Sequence, residues 1–199
     1  MSLCEAWPEA IVRFDPFKGE ARNSDLLAHA LCSRGKALIS VEAKADETFN
    51  ETIGKSYDAA MKRPESNAPE RMRRLARAVL GADIGEVRDL RYQLLYGIAA
   101  ALSAAQQHDA TIAIFVVHEF ITECIKEIKQ RKNGADLDDF VRNLSRDRNP
   151  RLDPGRLLGP FGVPGNDHIP KDVALFIGKA IRDTRLPRCS LSMRDDRVY

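Results

Sequence analysis

The stretch Ser24-Asp25-Leu26-Leu27-Ala28-His29-Ala30-Leu31, Cys32-Ser33-Arg34-Gly35, Lys36-Ala37-Leu38-Ile39-Ser40-Val41-Glu42-Ala43-Lys44 decides the fold. Ser24–Leu31 and Lys36–Lys44 read as two strands around a tight link, in which Gly35 can take the positive φ that a hairpin turn asks for. The second strand is almost continuously apolar from Ala37 to Val41, the pattern of a strand inside a sheet covered by helices. Charges appear abruptly at its end, at Glu42 and Lys44.

A turn centred between Arg34 and Gly35 places Cys32 across from Ala37. Continued along the hairpin, that pairing sets Asp25 opposite Lys44 and Leu27 opposite Glu42. Directly opposed residues share a face and successive residues alternate, so Asp25, Glu42 and Lys44 are expected to project from one face, with Ala43 pointing away. Two carboxylates held this close repel each other unless a cation lies between them, and oxygen ligands suit Mg²⁺ or Mn²⁺. The backbone carbonyl of Ala43 is a further candidate ligand. Lys44 could orient an attacking water and offset transition-state charge in phosphodiester hydrolysis. A simpler account remains open: a cross-strand Asp25–Lys44 ion pair worth ~0.2–1 kcal/mol.

Beyond the hairpin, Phe49, Ile53, Tyr57 and Ala60 predict a helix over Asp46–Met61, stopped by Pro64. Pro69–Leu80 predicts a second, ending at Gly81. Val87–Gln107 predicts the longest, with Leu90, Leu94, Ile98 and Leu102 on one stripe and Gln93, Tyr96 and Gly97 on another. Thr111–Val117 is the clearest central strand. A helix from Thr122 to Arg131 is expected to break at Asn133-Gly134 and resume over Asp136–Ser145. Residues 149–170, rich in proline and glycine, predict an ordered loop or irregular subdomain, and Val173–Gly178 a last strand. Trp7–Phe17 is ambiguous, and Cys189–Tyr199 reads as a frayed end. The sum is an α/β fold in one domain over residues 1–199, a core of residues 1–120 and an extension of 121–199 that completes a mixed sheet.

The 199 residues, 44% hydrophobic and 30% charged, suffice for one sizeable core. No apolar run is long enough to cross a bilayer, and the first residues lack a basic segment followed by a hydrophobic one, so a cytosolic protein is expected. Cys4, Cys32, Cys124 and Cys189 lie far apart, as do the four histidines, which argues against a zinc or iron–sulfur site. The net charge of +2 says little. Lys62, Arg63, Arg71, Arg73, Arg74 and Arg77 form one basic stretch, and Lys126, Lys129, Arg131 and Lys132 another. Either could face a polyanion or form a solvated helix face.

Asp25 on one strand, with Glu42-Ala43-Lys44 on the next, resembles the signature of the restriction-endonuclease-like (PD-(D/E)xK) nuclease superfamily. The wider stretches Gly19–Asp25, Val41–Glu47 and Arg91–Tyr96 are similar to a little-characterised bacterial family within it. The resemblance implies a restriction-endonuclease-like core and Mg²⁺- or Mn²⁺-dependent cleavage of DNA. Asp25 and Glu42 would be metal ligands and Lys44 the catalytic lysine. Glu20 is a further candidate ligand from the segment before the hairpin, and Gln93 a residue that could hydrogen-bond the catalytic shell. Arg91 could meet a phosphate, and His118 and Glu119 could border the same cleft. Two other functions stay open: a nucleic-acid binder that keeps the fold without catalysis, and a structural or regulatory homo-oligomer whose hairpin charges form a salt bridge.

Overall fold

A computed structural model describes residues 1–17, 22–123, 127–145 and 151–185. Six strands, β1 (Ser2–Val12), β2 (Arg22–Cys32), β3 (Gly35–Lys44), β4 (Ile112–Ile121), β5 (Leu157–Phe161) and β6 (Ala174–Asp183), form one sheet in the order β1-β2-β3-β4-β6-β5. The meander β1-β2-β3 and the edge pair β5-β6 are antiparallel, while β3, β4 and β6 run parallel at the centre. The expected α/β architecture with a mixed sheet is present.

The hairpin closes more tightly than the sequence suggests. Cys32 pairs with Gly35, whose φ is +117°, and Leu27 with Ser40, so the turn is the two residues Ser33-Arg34. The expected pairings of Cys32 with Ala37, Leu27 with Glu42 and Asp25 with Lys44 are therefore corrected by two residues. Extended one step past the last pair, Leu26–Val41, this register sets Asp25 beside Glu42. A two-residue shift keeps the alternation of faces, so Glu42 and Lys44 still share one side of β3.

β1, ambiguous in the sequence, is an edge strand. Its alternation is broken by a register shift between Leu3 and Glu5, and again at Glu9, whose φ is +50°. Trp7 and Ala10 consequently both pack on the core although they lie three positions apart.

Among the described residues four α-helices connect the strands: α1 (Ile53–Met61), α2 (Ala68–Leu75), which runs into a π-helical turn over Ala76–Leu80 before Gly81, α3 (Tyr92–Gln107) and α4 (Glu127–Ser145). Two start later than expected. Thr52 caps α1 by accepting the Lys55 N–H, and residues 46–52 are not helical. Instead Thr52 bridges to Arg91, Tyr92 donates to the Glu51 carbonyl and Ile53 to that of Leu90, so the two approach segments hold each other. Phe49 and Leu90 are buried, which explains why both fit a helical stripe while lying outside one. The expected break at Asn133-Gly134 is absent, because the Asn133 side chain is buried and bonded to other parts of the chain. The segment expected as a loop contains β5 within its described part, residues 151–170, and Cys189–Tyr199 lies outside the described residues.

All four helices contribute to one core on a single face of the sheet, with Leu27, Leu38, Phe115, Leu175 and Ile177 beneath them. α3 crosses β3 and β4 there, and its alanines let it approach closely. Gly97 sets the contact: a Cβ at this position would sit 2.8 Å from the Phe115 ring. The opposite face carries a second cluster, Ala37, Ile112 and Ile114 with Cys32, Ile39, Val116, Ala174 and Phe176, to which no helix contributes among the described residues. No helix in them is long and apolar enough to cross a membrane.

Gly97→Ala should destabilise the fold by about 1–3 kcal/mol despite alanine's better helix propensity, because Phe115 has no room to move; a denaturant titration showing equal or higher stability contradicts this packing. His29 provides a second check. Burial first, then the His108 and Lys36 charges, lower its pKa from the usual 6.5, against an opposing effect of Glu5. The unfolded chain thus binds a proton that the folded one refuses. Stability from this group is complete above about pH 6.5 and falls as the pH drops toward the folded-state value. His29→Gln should flatten that part of a stability–pH profile.

Candidate functional site

The site grows from the end of β3. Leu38, Ser40, Glu42 and Lys44 alternate onto the core face, and the buried run continues through both charges, each only 3% exposed. Burying such groups is costly unless each is paired. Lys44 Nζ lies 3.1 Å from Glu42 Oε1 and 2.9 Å from Glu47 Oε1, and stands 5.6 Å from the centre of the Phe49 ring. Glu47 is mostly exposed, so Glu42 is the buried half of this clamp.

Two neighbours fix the clamp. Gln93, in the first turn of α3, donates through Nε2 to Glu42 Oε1 at 2.5 Å and accepts the Asn50 N–H at 3.3 Å. Asn133 of α4 donates to the Glu47 carbonyl and accepts the Phe49 N–H. These bonds keep residues 46–52 out of a helix, and they hold α4 intact through Asn133-Gly134. Beside Gln93, burial and the adjacent Tyr96 push the Tyr92 phenol far above its ordinary pKa, so it stays protonated at neutral pH.

Asp25 lies where β2 leaves β3. Its Oδ2 accepts the Ala43 N–H at 2.6 Å, a carboxylate in the place of a ladder carbonyl, and regular pairing stops one residue earlier. Ser24 and Ser40, both buried, have hydroxyls 3.4 Å apart just inside. Asp25, Glu42, Ala43 and Gln93 line one open cleft of about 640 Å³ with Glu9, Asn23, Ala45, Asp46, Glu47 and Phe120. Asn23 donates to the carboxylate of Glu9, the residue with the left-handed backbone.

The structure thus brings Asp25, Glu42, Lys44 and Gln93 together. Asp25 stands beside Glu42 in the extended register rather than opposite Lys44, and its carboxylate is bonded to the Ala43 N–H of the neighbouring strand. Glu20 lies outside the described residues, and the acid from β1 that lines the cleft is Glu9. Glu119 sits beside Lys44 in the β3–β4 register and is 2% exposed. His118 belongs to the opposite face, its ring 4.2 Å from that of Phe120. Arg91 pairs with Asp136 at 2.9 Å and donates to the Asn50 carbonyl.

No three His, Cys, Asp or Glu side chains among the described residues converge as a metal cage. Asp25 and Glu42 both line the cleft, and two carboxylates would fit Mg²⁺, an ion that keeps most of its waters and is commonly held by one or two carboxylates plus substrate phosphate. The basic stretches are largely neutralised: Arg73 and Arg74 meet Glu70, Arg77 meets Asp83, and Lys129 meets Asp46. A second hollow, lined by Lys55, Arg91, Lys129 and Lys132, adjoins the acidic cleft and shares Asp46 and Glu47 with it.

Sequence reasoning missed Glu9, Glu47, Asn133 and Lys179. Glu47 and Asn133 have no local signature, since their roles arise from non-local contacts. Lys179 follows the apolar strand Ala174–Gly178 much as Glu42 follows its own, and that repeated transition from apolar to charged was the available signal.

The model of a family described as a domain of unknown function, DUF6946, matches residues 1–184, and the chain belongs to that family. No curated protein and no solved structure matches it.

Lys44→Met should cost about 3–5 kcal/mol in a denaturant titration, because it strands the buried Glu42 charge, and adding Glu42→Gln should recover more than half of the loss. A loss below about 1 kcal/mol would mean that the pair is effectively solvated.

Proposed function

We propose that this member of the family is a divalent-metal-dependent phosphodiesterase acting on DNA, with a restriction-endonuclease-like core. The observation that carries the reading is the buried Glu42–Lys44 pair at the end of a central parallel strand, opening beside Asp25 into a carboxylate-lined cleft. A purely structural ion pair gains little from burial and is often outperformed by apolar side chains, so its retention at a cleft mouth favours chemistry.

Asp25 and Glu42 would hold the metal, with the Ala43 carbonyl as a further donor. The ion supplies polarisation of a phosphoryl oxygen and a more acidic water. Lys44 orients the attacking water and offsets charge gathering on the phosphorus oxygens. Gln93 keeps Glu42 in its rotamer. Lys55 and Lys132 in the adjoining hollow, which hold i,i+4 pairs with Glu51 and Asp136, would exchange them for flanking phosphates, which position the strand without reading its sequence. A cleft lined by Glu9, Asp25, Glu42, Asp46 and Glu47 repels a polyanion by itself, so metal and nucleic acid should bind together.

A second reading rests on the apolar sheet face that no described helix covers: a structural protein that self-associates through that face. A dimer in light scattering that is lost in Ile39→Lys, with no effect of metal or DNA, would favour it.

The direct test is cleavage of plasmid and single-stranded DNA with Mg²⁺ or Mn²⁺ against EDTA. The parent should cut only with metal, and Asp25→Asn and Lys44→Gln should each lose at least about a hundredfold in rate. Cleavage unchanged in both variants, or none with any substrate and metal, rejects the phosphodiesterase reading.

A further inference from the structure

The buried charge at the site does not end with Glu42 and Lys44. Along the same face, Glu119 of β4 pairs in register with Lys44, and Lys179 of β6 pairs in register with Val117, one alternation earlier. Glu119 Oε2 lies 3.2 Å from Lys179 Nζ, and α4 passes overhead with Gly134 close to that ammonium. Glu119 Oε1 has no hydrogen-bond partner among the described residues, although the side chain is almost wholly buried. An idle carboxylate oxygen in such a place costs as much as a lost charged hydrogen bond, and Lys179 uses only one of the two oxygens.

The Lys44 ammonium has the complementary difficulty. It shares Glu42 Oε1 with Gln93, and Glu42 is the carboxylate to which the proposed function assigns the cation. A divalent ion drawn to Glu42 repels that ammonium, whose other partner, Glu47, is largely in solvent. Beside Lys44 in the strand register, on the same face, Glu119 is a buried acceptor with an oxygen to spare.

We infer that Glu119 is the positioning residue of Lys44, the carboxylate that receives its ammonium when a cation occupies Glu42. This inference rests on the metal-site reading above. Glu119 touches neither metal nor substrate. It keeps Lys44 buried and within the site through the exchange of partners, while Lys179 holds Glu119 in place. The site thus has two arrangements, one with Lys44 on Glu42 and one with Lys44 on Glu119, and a cation favours the second.

The test is a double-mutant cycle read by Mn²⁺ affinity from calorimetry, on Glu119→Gln, Lys44→Gln and the double variant, each checked for folding by circular dichroism. Glu119→Gln should weaken Mn²⁺ binding roughly tenfold in the parent and leave it unchanged in the Lys44→Gln background, because without the ammonium there is nothing to receive. Glu119→Asp, which keeps the charge and the Lys179 pair, should restore part of the loss and serves as the reporter if Glu119→Gln does not fold. Equal losses in both backgrounds, or none in either, overturn the role of Glu119 while leaving the metal site standing. A parent that binds no Mn²⁺ overturns both readings together.

Discussion

One buried positive charge organises this end of the molecule. Lys44 has almost no contact with solvent, and an ammonium in that position is tolerable only with carboxylates around it. Glu42 and Glu47 meet that need directly, Gln93 orients Glu42, and Asn133 ties down the backbone that carries Glu47. Four separated pieces of chain, from β3, the following loop, α3 and α4, are held in place by the same charge. The loss of regular helix over residues 46–52 and the unbroken course of α4 through an Asn-Gly pair are both consequences of satisfying it.

The sheet makes that burial possible. Parallel pairing of β3 with β4 and of β4 with β6 puts the ends of three strands at one edge, which is where open α/β sheets present their ligand sites. Gly97 brings α3 down onto Phe115, and the first turn of the helix thereby reaches Glu42. Asp25 enters from the antiparallel side, using its carboxylate where the ladder would have used a carbonyl. The Glu42–Lys44 pair is buried on the core face of β3, and Glu42 also lines the cleft with Asp25, so one carboxylate belongs both to the clamp and to the open site.

Much of this was legible in the residues. The apolar runs Ala37–Val41 and Thr111–Val117 identify the two central strands, and the sudden charges after Val41 mark the site, because such charges end a strand whose other positions are buried. Face alternation survived a hairpin register wrong by two residues, since a shift of two leaves every side chain on its own face. β1 was not legible: Pro8, the left-handed Glu9 and the irregularity near Leu3 destroy the period of two, and an edge strand shows only half an apolar pattern anyway. Asn133-Gly134 read as a break because local propensity favours a turn there, and bonds to Glu47 and Phe49 outweighed it. Phe49 and Leu90 misled for the opposite reason. Each has helical spacing from its neighbours, yet backbone bonds between their segments settle the conformation.

The most direct test of the account is anomalous scattering from crystals of the protein soaked in Mn²⁺. A peak between the Asp25 and Glu42 carboxylates, with the Lys44 ammonium displaced from Glu42, is the predicted result. Crystals without a peak in that cleft, and with the Glu42–Lys44 pair intact at high Mn²⁺, would contradict it and leave the charges at the end of β3 as a structural clamp.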